Sequence, residues 1–497
     1  MTLLAFITRI WRFGKWVVTV VAVLLLTIYF GWAFDSRGML QLGPEHRIQF
    51  EQEFSASQED ETDWMEYLQI EDRLAIELEE RIAGEDRSDS LLDRYSPSSL
   101  SYPGNFPSNW NRSYEMSVPS PRGVAVLLHG LTDSPYSMLA TAQTLAGTGY
   151  NVVVPRMPGH GYAVGGLQQA RWEDWTAAVR IAIRHAKTLP GSDRSLLLGG
   201  YSNGGLLAID YGLACDEMDD MPCPHGIILM SPAIAVSKAA IVTNLHPAIS
   251  WMPYFDQFEW LSILPEINPF KYTSFPKRAA WEVFRVSSRT HEQLASPEEV
   301  AKLPPILTFQ SAVDNTVSAP AIVTLLYSNL PANGSRLVVY DINRHSTLLH
   351  LMKTPPGDIV DYFQSMVPLD FGVTVLRNRT SSGNEIDALT LHAGGSETSI
   401  EETNLAWPRD VISLSHIAVP FRTDDLVYGD GSAQEAGRPG LPLGALAPRG
   451  EAGVLTLTPT YFLRARHNPF YSYQARVLAE WVDELTGRTS GESGEIR

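Results

Sequence analysis

The chain has 497 residues, of which 44% are hydrophobic and 19% charged, a globular composition with enough material for one large core and appendages. Acidic residues outnumber basic ones 56 to 38 and the formal net charge is −18. That balance argues against nucleic acid as a partner and against peripheral binding to an anionic membrane surface.

The N-terminal stretch stands apart. From Trp16 to Phe34 the sequence reads WVVTVVAVLLLTIYFGWAF, with no charge. Its length is at the short end of what spans a bilayer. Arg9, Arg12 and Lys15 precede it, so the positive-inside rule keeps the N-terminus cytoplasmic and sends the large domain out. A cleaved signal peptide or a buried helix would share the composition, but GWAFDS is a poor small-x-small cleavage site. The expected unit is a transmembrane anchor over residues 1–34, with the large domain periplasmic or extracellular.

Residues 35–112 form a polar lead-in. Within it, DWMEYLQIEDRLAIELEERI has apolar positions at helical spacing and many helix formers. The Ser/Pro/Asn-rich YSPSSLSYPGNFPSNWNRS that follows reads as irregular chain. No chemistry is assigned to this segment.

A first core section covers 113–232. GVAVLLHG is a strand run, SPYSMLATAQTLAGTG a helix with a glycine stop, and YNVVVPRMPGHG a strand and loop. RWEDWTAAVRIAIRHAKTL is an amphipathic helix. RSLLLGGYS is a strand, NGGLLAIDYGLACDE a helix, and GIILMSP another strand. This alternation predicts a mostly parallel α/β sheet flanked by helices. Cys215 and Cys223 are the only cysteines, and their close spacing suits a disulfide in an oxidising compartment; two free thiols are the alternative. No Cys/His array has zinc spacing.

The rhythm breaks at 233–303, which is rich in aromatics (SWMPYFDQFEWLSILPEINPF) and reads as a helical cap inserted between strands. A second core section, 304–487, resumes with PPILTFQS and SRLVVYD. It carries an insertion near 346–410, where DFGVTVLRNR and DALTLHAGG suggest further strands. YFLRARHNPFYSYQARVLAEWVDEL reads as a terminal helix.

The chemistry concentrates around Ser202 in LLLGGYSNGG. A serine hydroxyl is a weak nucleophile and needs a base and an orienting acid. It must also stand on a tight strand-to-helix turn, which Gly200 and Gly204 permit because a Cβ would crowd the backbone. Ser202 is therefore the candidate nucleophile, with a structural turn as the bland alternative. In HGLTDSP, the N–H of Leu131, with that of Asn203, can form an oxyanion hole, and Thr132 can add a hydroxyl contact. His129 stands too early in the fold to serve as base and reads as structural.

Asp314, in ILTFQSAVDNTVS, lies just past a later strand and is the candidate orienting acid; Asp341 and Asp358 are less suitably placed. An Asp capping the next helix is its structural alternative. Two histidines compete for the base. His345 follows Asp314 by 31 residues, just past RLVVYD, and His416 follows it by 102, nearer the terminal helix. Spacing favours His345 and position before the last helix favours His416; His350 and His392 have weaker contexts.

HGLTDSPYS, PRMPGHG, GYSNGG and SAVDNTV together resemble the α/β-hydrolases, in the serine aminopeptidase and monoacylglycerol-lipase-like branch. The resemblance covers roughly 120–345, with a terminal segment to about 485. SLSHIAVPFRTDDLVYG is similar to a C-terminal motif of large membrane-anchored bacterial hydrolases. The resemblance implies an α/β-hydrolase fold with Ser202 as nucleophile, His416 as base, with His345 the alternative, and Asp314 as acid, and no metal or organic cofactor.

The implied reaction is two-step acyl transfer on a carboxylic ester, small or lipid-like. A peptidase or amidase of the same fold is one alternative, since these activities share the machinery. An inactive binding module is the other. The P-loop pattern and the HExxH pattern are both absent from the sequence.

Overall fold

The computed structural model describes residues 3–83, 87, 90–235, 250, 253–314, 316–341, 359–380, 383–408, 411, 413–438, 440–441 and 465–487, with side chains from residue 11 onward. The expected positions His345, His350 and Asp358 lie outside the described residues.

The first helix, α1 (Leu3–Asp35), runs through the charge-free stretch. A span of 28 residues, Trp11–Gly38, is long and apolar enough to cross a membrane and is almost wholly exposed. Its C-terminal end is not free. Ala33 is fully buried, and the ring of Tyr29 meets that of Phe258 edge-on at 5.5 Å. Phe34 meets Phe255 in the same way at 5.6 Å. The cap is thus seated on the end of the apolar helix.

The lead-in helix α2 (Trp64–Ile82) starts at Asp63, whose carboxylate accepts the N–H of Glu66 as an N-cap. It buries Trp64, Tyr67, Ile70, Glu71 and Leu74 along one face against the core. Glu71 is acidic yet has no exposed side-chain surface, and a cation lies beside it. The guanidinium of Arg156, equally buried, pairs with Glu53 at 2.8 Å and approaches Glu71 at 3.4 Å. Burial pushes the Glu71 carboxyl up, against the pull of Arg156 and the Ser113 hydrogen bonds. Arg156→Ala would leave two carboxylates in a dry interior. The expected cost is about 3–5 kcal/mol in a denaturant titration; an unchanged midpoint would show that the lead-in docks by apolar contacts alone.

The core is one sheet. β1 (Tyr114–Met116), β2 (Gly123–Leu128), β3 (Tyr150–Val154), β4 (Leu196–Tyr201) and β5 (Gly226–Met230) precede the cap. A short hairpin, β6 (Trp260–Ser262) and β7 (Phe275–Pro276), lies within the cap. β8 (Ile306–Ser311), β9 (Arg336–Tyr340), β10 (Gly372–Asn378), β11 (Glu385–Leu391) and β12 (Thr398–Ala406) follow. The ten-stranded order is β1-β3-β2-β4-β5-β8-β9-β10-β11-β12. The pairs from β3 to β10 are parallel, and β1, β11 and β12 pair antiparallel. The central strands β2, β4, β5 and β8 are buried on both faces, which is why they read as continuous apolar runs. DFGVTVLRNR and DALTLHAGG form β10 and β11, so the same sheet continues through that region.

Helices cover both faces: α3 (Leu139–Gly147), α4 (Trp172–Thr188), α5 (Asn203–Ala214), α6 (Lys277–Leu294) and α7 (Tyr471–Leu485). Every residue of α5 is buried, since it lies between the sheet and the cap helix α6. Cys215 and Cys223 form a disulfide with Cα atoms 5.3 Å apart, closing the loop after α5.

Candidate active site

In an open parallel sheet, functional groups collect beyond the carboxyl ends of the strands. The register aligns those ends: Leu128 on β2 pairs with Gly200 on β4, Tyr201 on β4 with Met230 on β5, and Ser311 on β8 with Tyr340 on β9. Leu131 follows β2, Ser202 follows β4 and Asp314 follows β8, so all three emerge on one edge.

Ser202 sits between β4 and α5 with φ 54° and ψ −114°. This is the conformation of the first central residue of a type II′ turn, which normally goes to glycine. The turn is held at both ends. The Ser202 N–H donates to Met230 O at 2.9 Å, and Ser202 O accepts from Leu206 and Ala233 at 3.1 and 3.0 Å. The flanking glycines have a steric reason. A Cβ on Gly200 would lie 2.2 Å from the Gly204 backbone, and one on Gly204 would lie 2.0 Å from Leu128 O. The chain therefore crosses over itself at van der Waals contact, which lifts the serine out on the turn.

Asp314 and His416 meet directly. His416 Nδ1 lies 2.7 Å from Asp314 Oδ2, and the Asp314 side chain is fully buried. Burial pushes the Asp314 carboxyl up, but the His416 charge and hydrogen bond, with the N–H groups of Val317 and Thr316, outweigh it and hold the carboxyl below its ordinary value. An ionised Asp314 accepting from Nδ1–H fixes the tautomer that leaves Nε2 as a lone-pair acceptor.

Long-range contacts put His416 there. It opens a short 3-10 turn, His416–Ala418, capped by Ser415, whose hydroxyl donates to Ala465 O and accepts from the Ala418 N–H. Ser311 at the end of β8 donates to Leu414 O at 2.9 Å. The His416 ring lies 5.2 Å from that of Tyr201, the residue before Ser202. Among the described residues, no hydrogen bond joins Ser202 Oγ to His416.

The N–H groups of Leu131 and Asn203 have no protein acceptor among the described residues. Asn203 opens α5, where the helix dipole adds positive potential. Thr132, beside Leu131, has φ 64°. The loop that carries them is clamped by the cap: Tyr272 N–H donates to Thr132 O at 2.8 Å, and Lys271 Nζ pairs with Asp133 at 2.7 Å. Burial pushes the Asp133 carboxyl up despite Lys271. This clamp has no local signal in the sequence, because the partner of Asp133 lies 138 residues away.

His129 is enclosed. Its Nε2 accepts the Met157 N–H at 2.9 Å, leaving Nδ1–H to donate to Gly130 O. Burial pushes its pKa well down, so it stays neutral and ties β2 to the loop after β3. His392 pairs with Ser399 on an exposed surface of β11 and β12.

Residues 119–351, a little under half of the chain, match the family model described as serine aminopeptidase, S33. A thermostable monoacylglycerol lipase of Bacillus sp. (strain H-257) is 24% identical over 218 residues, covering 44% of this chain and 80% of the relative. Among solved structures, the monoacylglycerol lipase of Paleococcus ferrophilus is 20% identical, covering 44% of this chain and 83% of its own, with a TM-score of 0.33. A carboxyl esterase of Bacillus coagulans is 14% identical, covering 46% and 84%, with a TM-score of 0.36. With its strand order, the chain has an α/β-hydrolase fold, and over the matched segment it is similar to the serine aminopeptidase S33 family and to a monoacylglycerol lipase.

Proposed function

We propose that this protein is a serine hydrolase that cleaves carboxylic esters through an acyl-enzyme. Ser202 is the nucleophile, His416 the base and Asp314 the orienting acid. The N–H groups of Leu131 and Asn203 bind the oxyanion. The observation that carries the reading is the 2.7 Å pair between buried Asp314 and His416, beside the strained turn that presents Ser202.

In the first half-reaction, His416 Nε2 takes the Ser202 proton as Oγ bonds to the ester carbonyl carbon. The carbonyl oxygen becomes negative and is held by the two N–H groups. The C–O bond to the leaving group then breaks, and the imidazolium returns its proton to the departing alcohol. Water repeats the sequence on the acyl-serine, releasing the carboxylic acid and restoring Ser202. This route uses only the chain's own groups.

The ester reading is preferred to the aminopeptidase reading on charge. Recognition of a peptide N-terminal ammonium needs an unpaired acid near the site. Asp133, the buried acid beside the proposed oxyanion hole, is already paired with Lys271. The seating of the cap on α1 supports a bilayer-resident or lipid-like ester, with α1 as the anchor and the domain on the outer face, where the disulfide is stable. A series of p-nitrophenyl esters from acetyl to palmitoyl, run beside amino-acid p-nitroanilides, tests this. Ester turnover with a chain-length optimum is expected. Turnover of the anilides alone would assign a peptidase.

A further inference from the structure

We infer that the cavity between α2 and the 94–111 segment is a second ligand site, which takes an amphipathic carboxylate. The cavity holds about 630 Å³, in the range of small-molecule sites. Ala75, Leu78 and Ile82 line one wall. They lie at helical spacing on one face of α2, where they pack against the core and also line the cavity. Tyr95 and Tyr162 line the cavity as well.

Arg94 supplies the polar end. It is only 3% exposed. Its Nη2 donates to Asn111 Oδ1 at 3.0 Å and Gly161 O at 2.7 Å, both neutral acceptors. The Tyr272 ring lies 5.0 Å from its guanidinium carbon. Among the described residues, no carboxylate lies within 4.0 Å of this guanidinium, and its Nε and Nη1 have no acceptor. Glu266 is near enough to feel the charge, but its carboxylate accepts the N–H groups of Thr273 and Ser274, and burial pushes its carboxyl up.

The other cations nearby are treated differently. Arg156 has Glu53 and Glu71, and Arg87, at the same cavity, has Glu45 and Asp93. A buried guanidinium with neutral partners alone is a costly arrangement. Its Nη1 and Nε N–H groups remain as donors from which a carboxylate oxygen can accept a charge-assisted hydrogen bond. The apolar track of α2 then receives the hydrocarbon part. Glu79, the acid in the lining, is solvent-exposed. The site does not depend on the assignment of Ser202.

The test is titration of the full-length protein, held in amphipol, with [1-¹³C]octanoate, and with octan-1-ol as the uncharged control. Arg94→Gln is expected to weaken octanoate at least tenfold and to leave octanol within twofold. Leu78→Trp, which fills the cavity from its apolar wall, is expected to weaken both at least tenfold. Leu78→Trp carries the test alone if loss of the Gly161 contact unfolds Arg94→Gln, and unchanged melting of Leu78→Trp checks its fold. Octanoate affinity that survives Leu78→Trp would place the ligand elsewhere and overturn the site. Equal losses for octanoate and octanol in Arg94→Gln would overturn the carboxylate.

Discussion

Ser202→Gly is expected to lose ester turnover and gain thermal stability together. The loss follows from removing Oγ, with a drop in kcat of roughly 10³-fold or more. The gain follows from the backbone. Ser202 is held at φ 54° and ψ −114°, with hydrogen bonds to Met230, Leu206 and Ala233 that prevent it from relaxing. A non-glycine residue there stores on the order of 1–3 kcal/mol, and glycine adopts the same angles without strain. Part of that gain is lost to the greater freedom of glycine in the unfolded chain. A net rise of about 1 kcal/mol, or roughly 2 °C in Tm, is expected. Ser202→Ala is the control, since it removes the hydroxyl and keeps the Cβ strain, so it should be as inactive without the gain. Full activity in Ser202→Ala would remove the nucleophile assignment. Equal Tm values for the Gly and Ala variants would remove the strain.

The turn was legible because its reason is local. Gly200, Ser202 and Gly204 lie within five residues, and the clashes that require glycine involve backbone that β4 and α5 bring back on themselves. The parallel sheet was legible for a similar reason, because strands buried on both faces must be apolar throughout. The base was not. His345 and His416 both follow strand-like runs, and spacing cannot choose between them. What draws His416 to Asp314 is a set of distant contacts: Ser311 to Leu414 O, Leu414 against Ala465, and Ser415 to Ala465 O. None has a pattern in the sequence. The lead-in shows the same limit. Its helix was readable from period and helix formers, but the partner of Glu71 is Arg156, in a loop that reads only as Pro/Gly-rich chain.

Asp314→Asn separates the proposed orienting role from the folding role of the same carboxylate. The amide has the same shape, but its NH2 cannot accept from His416 Nδ1–H, so the imidazole is released to the wrong tautomer. A loss in kcat of roughly 10³–10⁴-fold, with KM little changed, is expected. His416→Ala should cost a similar factor, and the double variant little more, because the groups act as one unit. His345→Ala should stay within a few-fold of the parent; a large loss there with an active His416→Ala would transfer the base to His345. The stability consequence has a definite sign. The folded-state pKa of Asp314 lies below its ordinary value. Its ionised form therefore stabilises the protein at pH above the ordinary carboxylate range, and that contribution is lost as pH falls through the depressed value. Asp314→Asn should flatten that acid limb of the denaturation profile. Parallel acid limbs in the two proteins would mean that the pair with His416 does not contribute to folding stability, whatever it does for turnover.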